Sequence, residues 1–499
     1  MTNEPLTLAV DIGTSSVRAM AFDLHGGIRA REQIPYPVMR PRPYFEEQDP
    51  LLVRSSTYKA IAQLLSSGSV DPSQIACISF SSQMYSILAL NDEGKPLTNS
   101  LLWSDGRAET QAETMKKAKG AMWLYPRTGC PMNSIYPIAK IRWLREETPE
   151  VFGKAARFAC IKEFVTTPLI GEWAVDYSMA SASGMFDVAG HTWDPEALNA
   201  AGIGEFQLSE PVSGTKAFRL VPDSPLAGLG LPKDTVVFLG AGDGPLANLG
   251  SGAFEVGAIN IDLGTSGAAR CTSDAPITDE DASLWCFCLD DSHWAYGGIV
   301  TNVGNSYQWL ASAIAEISRL SGEEAFELLN ERAAAVAPGS EGLLFMPYLR
   351  KARSPYWDGR LKGTMYGLTA DHGFGHMARA LLEAIAYDLK SIINLMDRRI
   401  ATLPHILLTG GLSRSPLIPQ LLADVLGREI RIPEQNEGSI AGAAILGFSG
   451  LGKLDGLRFE QASPHFASVR PDPERKRQYE DFYGKYTRLV ETFRNADLS

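Results

Sequence analysis

The sequence predicts an α/β protein built from two related halves, and three observations carry that prediction. An apolar run ending in Asp-x-Gly-Thr-Ser occurs twice, as LAVDIGTSSVRAM over residues 8–20 and as INIDLGTSGAARC over 259–271, so that Asp11 and Asp262 lie about half the chain apart. At 499 residues the chain is too long for one ordinary hydrophobic core. With 45% hydrophobic and 21% charged residues and no low-complexity tract, it has the composition of a folded globular protein.

In chain order, Leu6 to Val10 reads as a buried strand closed by Asp11, and Ala258 to Ile261 as its counterpart closed by Asp262. Gly13 and Gly264 are expected at positive φ in tight turns, with Thr14, Ser15 and Ser16, or Thr265 and Ser266, adding hydroxyls. Backbone N–H groups and hydroxyls together can grip phosphate oxygens in such a turn. The first turn should join two strands, because Ser16 to Phe22 alternates and DLHGG at 23–27 reads as the next hairpin turn. No GK is followed by Ser or Thr anywhere, so a Walker-type cradle is absent.

Further along, VVFLGAGDGPLANLGSGA from Val236 is a strand followed by a Gly-rich segment. It fails as a dinucleotide fingerprint, since Gly240, Gly242 and Gly244 are spaced by two and Pro245 occupies the place of the third glycine. That excludes a nicotinamide-dependent dehydrogenase. Ile406 to Leu408 reads as a strand, and TGGLSRSP after it as a loop opening a helix through Leu417 to Leu426, its glycines leaving room for a flat ring. From Pro473, the residues Tyr479, Phe482, Tyr483, Tyr486, Leu489, Val490 and Phe493 fall at helical spacing and predict a helix packed onto the protein body.

The formal charge of −12 argues against nucleic-acid or anionic-membrane partners, which require clustered Lys and Arg. The N-terminal MTNEPLTLAV lacks signal-peptide character and no apolar run has membrane-spanning length, so a cytoplasmic location is expected. Six scattered cysteines and seven histidines form no transition-metal pattern and are expected to be reduced and structural, which leaves Mg²⁺ accompanying a nucleotide.

The paired turns resemble the phosphate loops of the actin-like ATPase superfamily. KIRWLRE from Lys140 and GTMYGLTADHGFGHMARALLE from Gly363 to Glu383 resemble the two signatures of the FGGY carbohydrate kinases, and FEEQDP from Phe45, LLWSDGRA from Leu101, VDYSMASASGMFD from Val175, LLFMPYLRKARSPYWD from Leu343 and LTGGLSRSPL from Leu408 follow in that family's order. The resemblance implies two actin-like ATPase (ribonuclease H-like) domains, over 1–253 and 254–499, flanking a nucleotide and sugar cleft. It implies ATP and Mg²⁺ as cofactors, a small-molecule sugar or sugar acid as acceptor, and a homodimer as a common assembly. The family's GERSP is here KARSP, with Ala352 in place of the glutamate.

Carried over residue by residue, the resemblance makes Asp243 the general base and Asp11 the Mg²⁺ holder. Gly13, Thr14, Ser15, Ser16 and Arg18 would face the phosphates from the first half, and Gly264, Thr265 and Ser266 from the second. Gly304, Gln308, Gly410, Gly411 and Arg414 fall where the family contacts the α-phosphate or adenosine, and Gln83, Tyr85, Trp103, Asp105 and Asp243 become the sugar-pocket candidates. The loop GAGDGPLANLG, the run from Ser81 through Ala108, TGCPMNSIYPIAKIRWL from Thr128 and IKEFVTTPL from Ile161 are more similar to gluconate kinases than to xylulose kinases, although Tyr85 stands where both usually have His. D-gluconate phosphorylated at its 6-hydroxyl is therefore the expected reaction. Xylulose or another pentulose is the alternative, and a non-sugar actin-like ATPase the more distant one.

Overall fold

The structure is a computed structural model that describes residues 4–434, 437–460 and 466–496. The chain divides into two compact units, Met1–Phe254 with Thr272–Tyr296 and Asn436–Ser463, and Glu255–Cys271 with Gly297–Gln435 and Pro464–Ser499.

The first unit is organised by a sheet of strands β1 (Leu6–Ile12), β2 (Ser16–Phe22), β3 (Ile28–Pro35), β4 (Ile75–Ser82), β5 (Phe218–Arg219) and β6 (Val236–Gly242), in the spatial order β5-β6-β4-β1-β2-β3. β1, β2 and β3 form an antiparallel meander, with the Asp23 carboxylate accepting from the His25 and Gly27 N–H groups in the expected turn. β4 pairs parallel with both β1 and β6. All seven β1 residues are buried, as a strand covered on both faces requires. One covering element is the helix Ser439–Gly450, small and apolar on every side, which lies against the helix Asp243–Gly250. A Cβ on Gly250 would come within 2.0 Å of the Gly438 carbonyl, so only glycine permits that crossing.

The second unit repeats the local plan. β7 (Ile259–Leu263) pairs antiparallel with β8 (Gly267–Ser273) and parallel with β9 (His405–Thr409), which continues to β10 (Glu429–Pro433) and the antiparallel β11 (Phe466–Val469). The C-terminal helix Pro473–Asn495, capped by Asp472, buries Tyr479, Tyr486 and Val490 as the stripe predicted. Arg379 and the Tyr479 hydroxyl both donate to Glu383, which also accepts from the Gly339 N–H and the Ser340 hydroxyl. The end of the second signature is thus a buried structural hub.

One expectation is corrected: neither Gly13 nor Gly264 adopts a positive φ. The turns close by Gly13 N–H to Ser16 O (3.0 Å) and Gly264 N–H to Ser266 O (2.9 Å), so ordinary backbone geometry suffices. All six cysteines are buried and free. Among the described residues, no helix is long and apolar enough to cross a membrane.

Candidate active site

The register of three parallel strands brings the first unit's candidates together. Asp11 of β1 and Ala241 of β6 both stand opposite Ser81 of β4, and Ile12 and Gly242 both stand opposite Ser82. The chain therefore leaves the C-terminal ends of adjacent strands at Gly13, Gln83 and Asp243, the edge where open α/β sheets bind ligands. Asp243 is the first residue of the helix Asp243–Gly250, where a carboxylate is favoured by the unpaired N–H groups.

Asp11 is buried, and across the hairpin it faces Arg18, whose Nη2 donates to Oδ2 at 2.6 Å. Burial pulls the Arg18 pKa down, but Asp11, Glu437 and Asp243 more than offset it and leave it raised. Arg18 thus sits in the field of all three carboxylates. The other oxygen, Asp11 Oδ1, is buried without a hydrogen-bond partner. An orphaned carboxylate oxygen of this kind fits a Mg²⁺ ion or a water in its shell.

Around these groups a hydrogen-bonded wall forms. Trp103 Nε1 donates to the Thr14 hydroxyl (3.1 Å), which donates to Gln83 Oε1 (3.1 Å), while Gln83 Nε2 donates to Gln48 Oε1 (2.6 Å) and Gln48 Nε2 to the Thr14 carbonyl (2.5 Å). Thr14 is therefore shared between the turn and the Gln48–Gln83–Trp103 wall. The Tyr36 hydroxyl donates to the Gly13 carbonyl at 2.7 Å, and burial, with Asp11 adding to it, raises its pKa far above the ordinary tyrosine value. Ser15 is exposed, and Ser16 accepts from Gln33.

Tyr85 holds φ 65°, a left-handed conformation uncommon outside glycine, and its ring meets Tyr136 and Phe287 edge-on at 5.7 and 5.9 Å. Its carbonyl and that of Leu102 both accept from Lys140, which is fully buried, at 2.9 and 2.6 Å. The first signature's lysine thereby ties the Tyr85 segment to the Trp103 segment. Asp105 is also buried, but its oxygens accept from Arg107 and the Glu46 N–H, so it anchors the Trp103 loop. Arg107 is stacked over Phe45 at 3.9 Å. Gln48, Tyr36, Lys140 and Arg107 were not among the predicted site residues. FEEQDP and KIRWLRE contain two of them, but nothing local reveals what they touch.

In the second unit, Gly264, Thr265, Gly304 and Gly410 converge. The Gly304 and Asn305 N–H groups donate to the Gly264 and Thr265 carbonyls, and a Cβ on Gly304 would lie 2.6 Å from the Gly264 oxygen. Gly410 follows Thr409, the partner of Asp262 across β7 and β9, and has φ 86°, with any Cβ 2.4 Å from the Leu263 oxygen. Beside this turn, with its partly exposed Ser266, Gln308, Gly411 and Arg414 line a cavity of about 780 Å³ together with Phe326 and Asn330. That volume accommodates a nucleoside. No cluster of three or more His, Cys, Asp or Glu side chains that could hold a metal ion occurs among the described residues.

The model of the FGGY carbohydrate kinase N-terminal domain matches residues 6–250, and that of the C-terminal domain matches 259–451. The chain belongs to the FGGY family of carbohydrate kinases. ATP is accordingly its phosphoryl donor and a sugar hydroxyl the acceptor. It is 36% identical to gluconokinase from Bacillus subtilis, covering 98% of this chain and 94% of the relative. It is 28% identical to a xylulose kinase from Staphylococcus epidermidis over 99% and 98%. Two Lactobacillus acidophilus structures, a gluconate kinase and a ligand-bound xylulose kinase, each superpose with TM-score 0.92 at 29% identity over 99% of both chains.

Proposed function

We propose that this FGGY kinase transfers the γ-phosphoryl group of ATP to the terminal 6-hydroxyl of D-gluconate, in the cytoplasm. The observation that carries the choice is the identity gap over nearly the whole chain, 36% to the Bacillus subtilis gluconokinase against 28% to the Staphylococcus epidermidis xylulose kinase. The overall fold does not discriminate, since both Lactobacillus acidophilus structures match equally.

In this reading Asp243 accepts the proton of the attacking hydroxyl as that oxygen moves in line on the γ-phosphorus. A loose transition state makes orientation of the hydroxyl more important than carboxylate basicity. Arg18 and the N–H groups and hydroxyls of 13–16 meet the transferring phosphoryl group, those of 264–266 meet the neighbouring phosphates, and Gln308, Gly411 and Arg414 hold the adenosine. Asp11 would hold Mg²⁺, directly or through a water, and the ion would neutralise charge on the phosphate oxygens. Gln83, Tyr85 and Trp103 line the sugar pocket, with Asp105 fixing the loop that carries Trp103. The neutral Tyr85 in place of His supplies a hydroxyl to the acid end of the substrate without a cation.

The test is kcat/KM with MgATP for gluconate, xylulose, ribulose, glycerol and related sugar acids. Gluconate should lead the panel. A pentulose preferred by more than ~10-fold, about 1.4 kcal/mol in transition-state binding, would replace gluconate and leave the kinase assignment standing.

A further inference from the structure

Strand β6, which delivers Asp243, is irregular just before that residue. Its pairing with β4 advances three residues, Phe238 to Ala241, while β4 advances two, Ser79 to Ser81, so β6 carries a bulge. Gly240 occupies it at φ 64°, its N–H turned to the Gly214 carbonyl at 2.9 Å, and a Cβ there would lie 1.9 Å from the Phe80 oxygen. On the other side of β6, strand β5 pairs only with Val236 and Val237. Among the described residues, the backbone leading into Asp243 therefore has no neighbouring strand on that side to fix it.

A buried ammonium takes that place. Lys162 Nζ donates to the carbonyls of Leu239 and Ala241, each at 2.9 Å, and lies 2.6 Å from Asp176 Oδ2. Lys162 and Asp176 are each 1% exposed, so neither reaches solvent or a ligand. Asp176 also caps the helix Tyr177–Ser181 by accepting from the Met179 N–H at 2.9 Å. From that helix, the buried Ser178 hydroxyl accepts from the Gly242 N–H at 3.1 Å. Leu239 and Ala241 are thus held by Lys162 and Gly242 by Ser178, and Asp176, paired with Lys162 and capping the helix that carries Ser178, joins the two.

We infer that Lys162, Asp176 and Ser178 form a positioning device for Asp243, bracing the bulged end of β6 so that the carboxylate is presented to the acceptor hydroxyl at one fixed place. This rests on the reading of Asp243 as general base. An ammonium suits the task because it can donate to two carbonyls at once, and the carboxylate beside it makes its burial tolerable. Without it, two buried carbonyls lose their donor and the bulge is free to shift. The network touches neither the phosphate turn nor the sugar-pocket wall, so its loss should slow the chemical step without weakening binding.

The experiment uses the full chain with MgATP and D-gluconate, or the best pentulose should that be the preferred acceptor. Lys162→Met combined with Asp176→Asn removes both buried charges together and keeps a side chain able to cap the helix, which protects folding. Its kcat should fall at least ~10-fold, since a misplacement of about 1 Å can cost ~10²-fold. The KM values for both substrates should stay within about twofold. Ser178→Ala, which leaves the ion pair intact, should lower kcat in the same direction by a smaller factor. In an Asp243→Asn background the double substitution should cause almost no further loss, an outcome that general destabilisation would not give. The proposal is overturned if kcat is unchanged in the folded variants, if KM rises while kcat holds, or if the double substitution costs the same factor with and without Asp243. An Asp243→Asn variant of near-normal turnover would instead overturn the general-base reading, and this proposal with it. A crippled Asp243→Asn beside a normal Lys162→Met/Asp176→Asn overturns the positioning role alone.

Discussion

The two Asp-x-Gly-Thr-Ser turns look interchangeable in the sequence and differ in what faces the aspartate. In the first, a four-residue connection between Ile12 and Val17 sets Arg18 opposite Asp11. In the second, the connection between Leu263 and Gly267 is one residue shorter, so Ala268 stands opposite Asp262 and Arg270 is carried on to face Asn260. The shorter turn and an arginine placed one residue later in the sequence together part carboxylate and guanidinium in the second hairpin. Under the proposed function, the first copy would meet charge that develops during transfer, and the second, with its N–H groups, hydroxyls and tight glycine contact, would hold phosphates whose charge changes little.

Substitutions at the two aspartates should separate the copies most. Asp11→Asn should lower kcat/KM at least ~10²-fold, the usual cost of removing a group that stabilises transition-state charge. Asp262→Asn should cost less than ~10-fold, about 1.4 kcal/mol. Equal losses would erase the distinction. Next in size, Arg18→Met should reduce kcat by about tenfold or more. Arg270→Met should leave kcat near wild type, and steady-state kinetics on both variants would show it.

Much of this was legible because it is local. The hairpin turns, the strand leading to Asp243, the capped aromatic helix at the end of the chain and the GG loop after Leu408 all follow from neighbouring residues. What escaped depends on partners far along the chain. Gln48 acquires its meaning from Thr14 and Gln83, Lys140 from Tyr85 and Leu102, and Lys162 from Leu239, none of which spacing can reveal. The expectation of positive φ at Gly13 and Gly264 failed for a related reason. The second turn's glycine requirement falls instead on Gly304 and Gly410, which press against it from elsewhere in the chain.

That contrast gives a third prediction. Gly304→Ala puts a methyl 2.6 Å from the Gly264 oxygen and should raise KM for ATP severalfold, in line with ~1–3 kcal/mol for overpacking. Gly264→Ala meets nothing closer than 3.7 Å and should bind ATP almost normally. Isothermal titration with a nonhydrolysable ATP analogue would rank the two.

The smallest effect on activity concerns a buried carboxylate handled differently from Asp11. Asp388 accepts from the Tyr348 and Tyr486 hydroxyls at 3.0 and 2.9 Å, and among the described residues no cation pairs with it. Burial pushes its carboxyl up from 3.8 to about 7. The folded state therefore holds a proton that the unfolded state releases, so this contribution to stability is complete below about pH 4 and is lost as pH rises toward 7, at up to ~1.4 kcal/mol per pH unit. Asp388→Asn should flatten the fall of Tm between pH 4 and 7 relative to wild type while leaving kcat unchanged. An identical slope in both proteins would refute the assignment.

The most direct test of the account is a single-turnover measurement of phosphoryl transfer by Asp243→Asn with MgATP and gluconate, alongside its affinity for ATP. Transfer should be slowed at least ~10²-fold, the low end for a lost general base, with ATP affinity unchanged. Transfer at close to the wild-type rate by a correctly folded variant would contradict it.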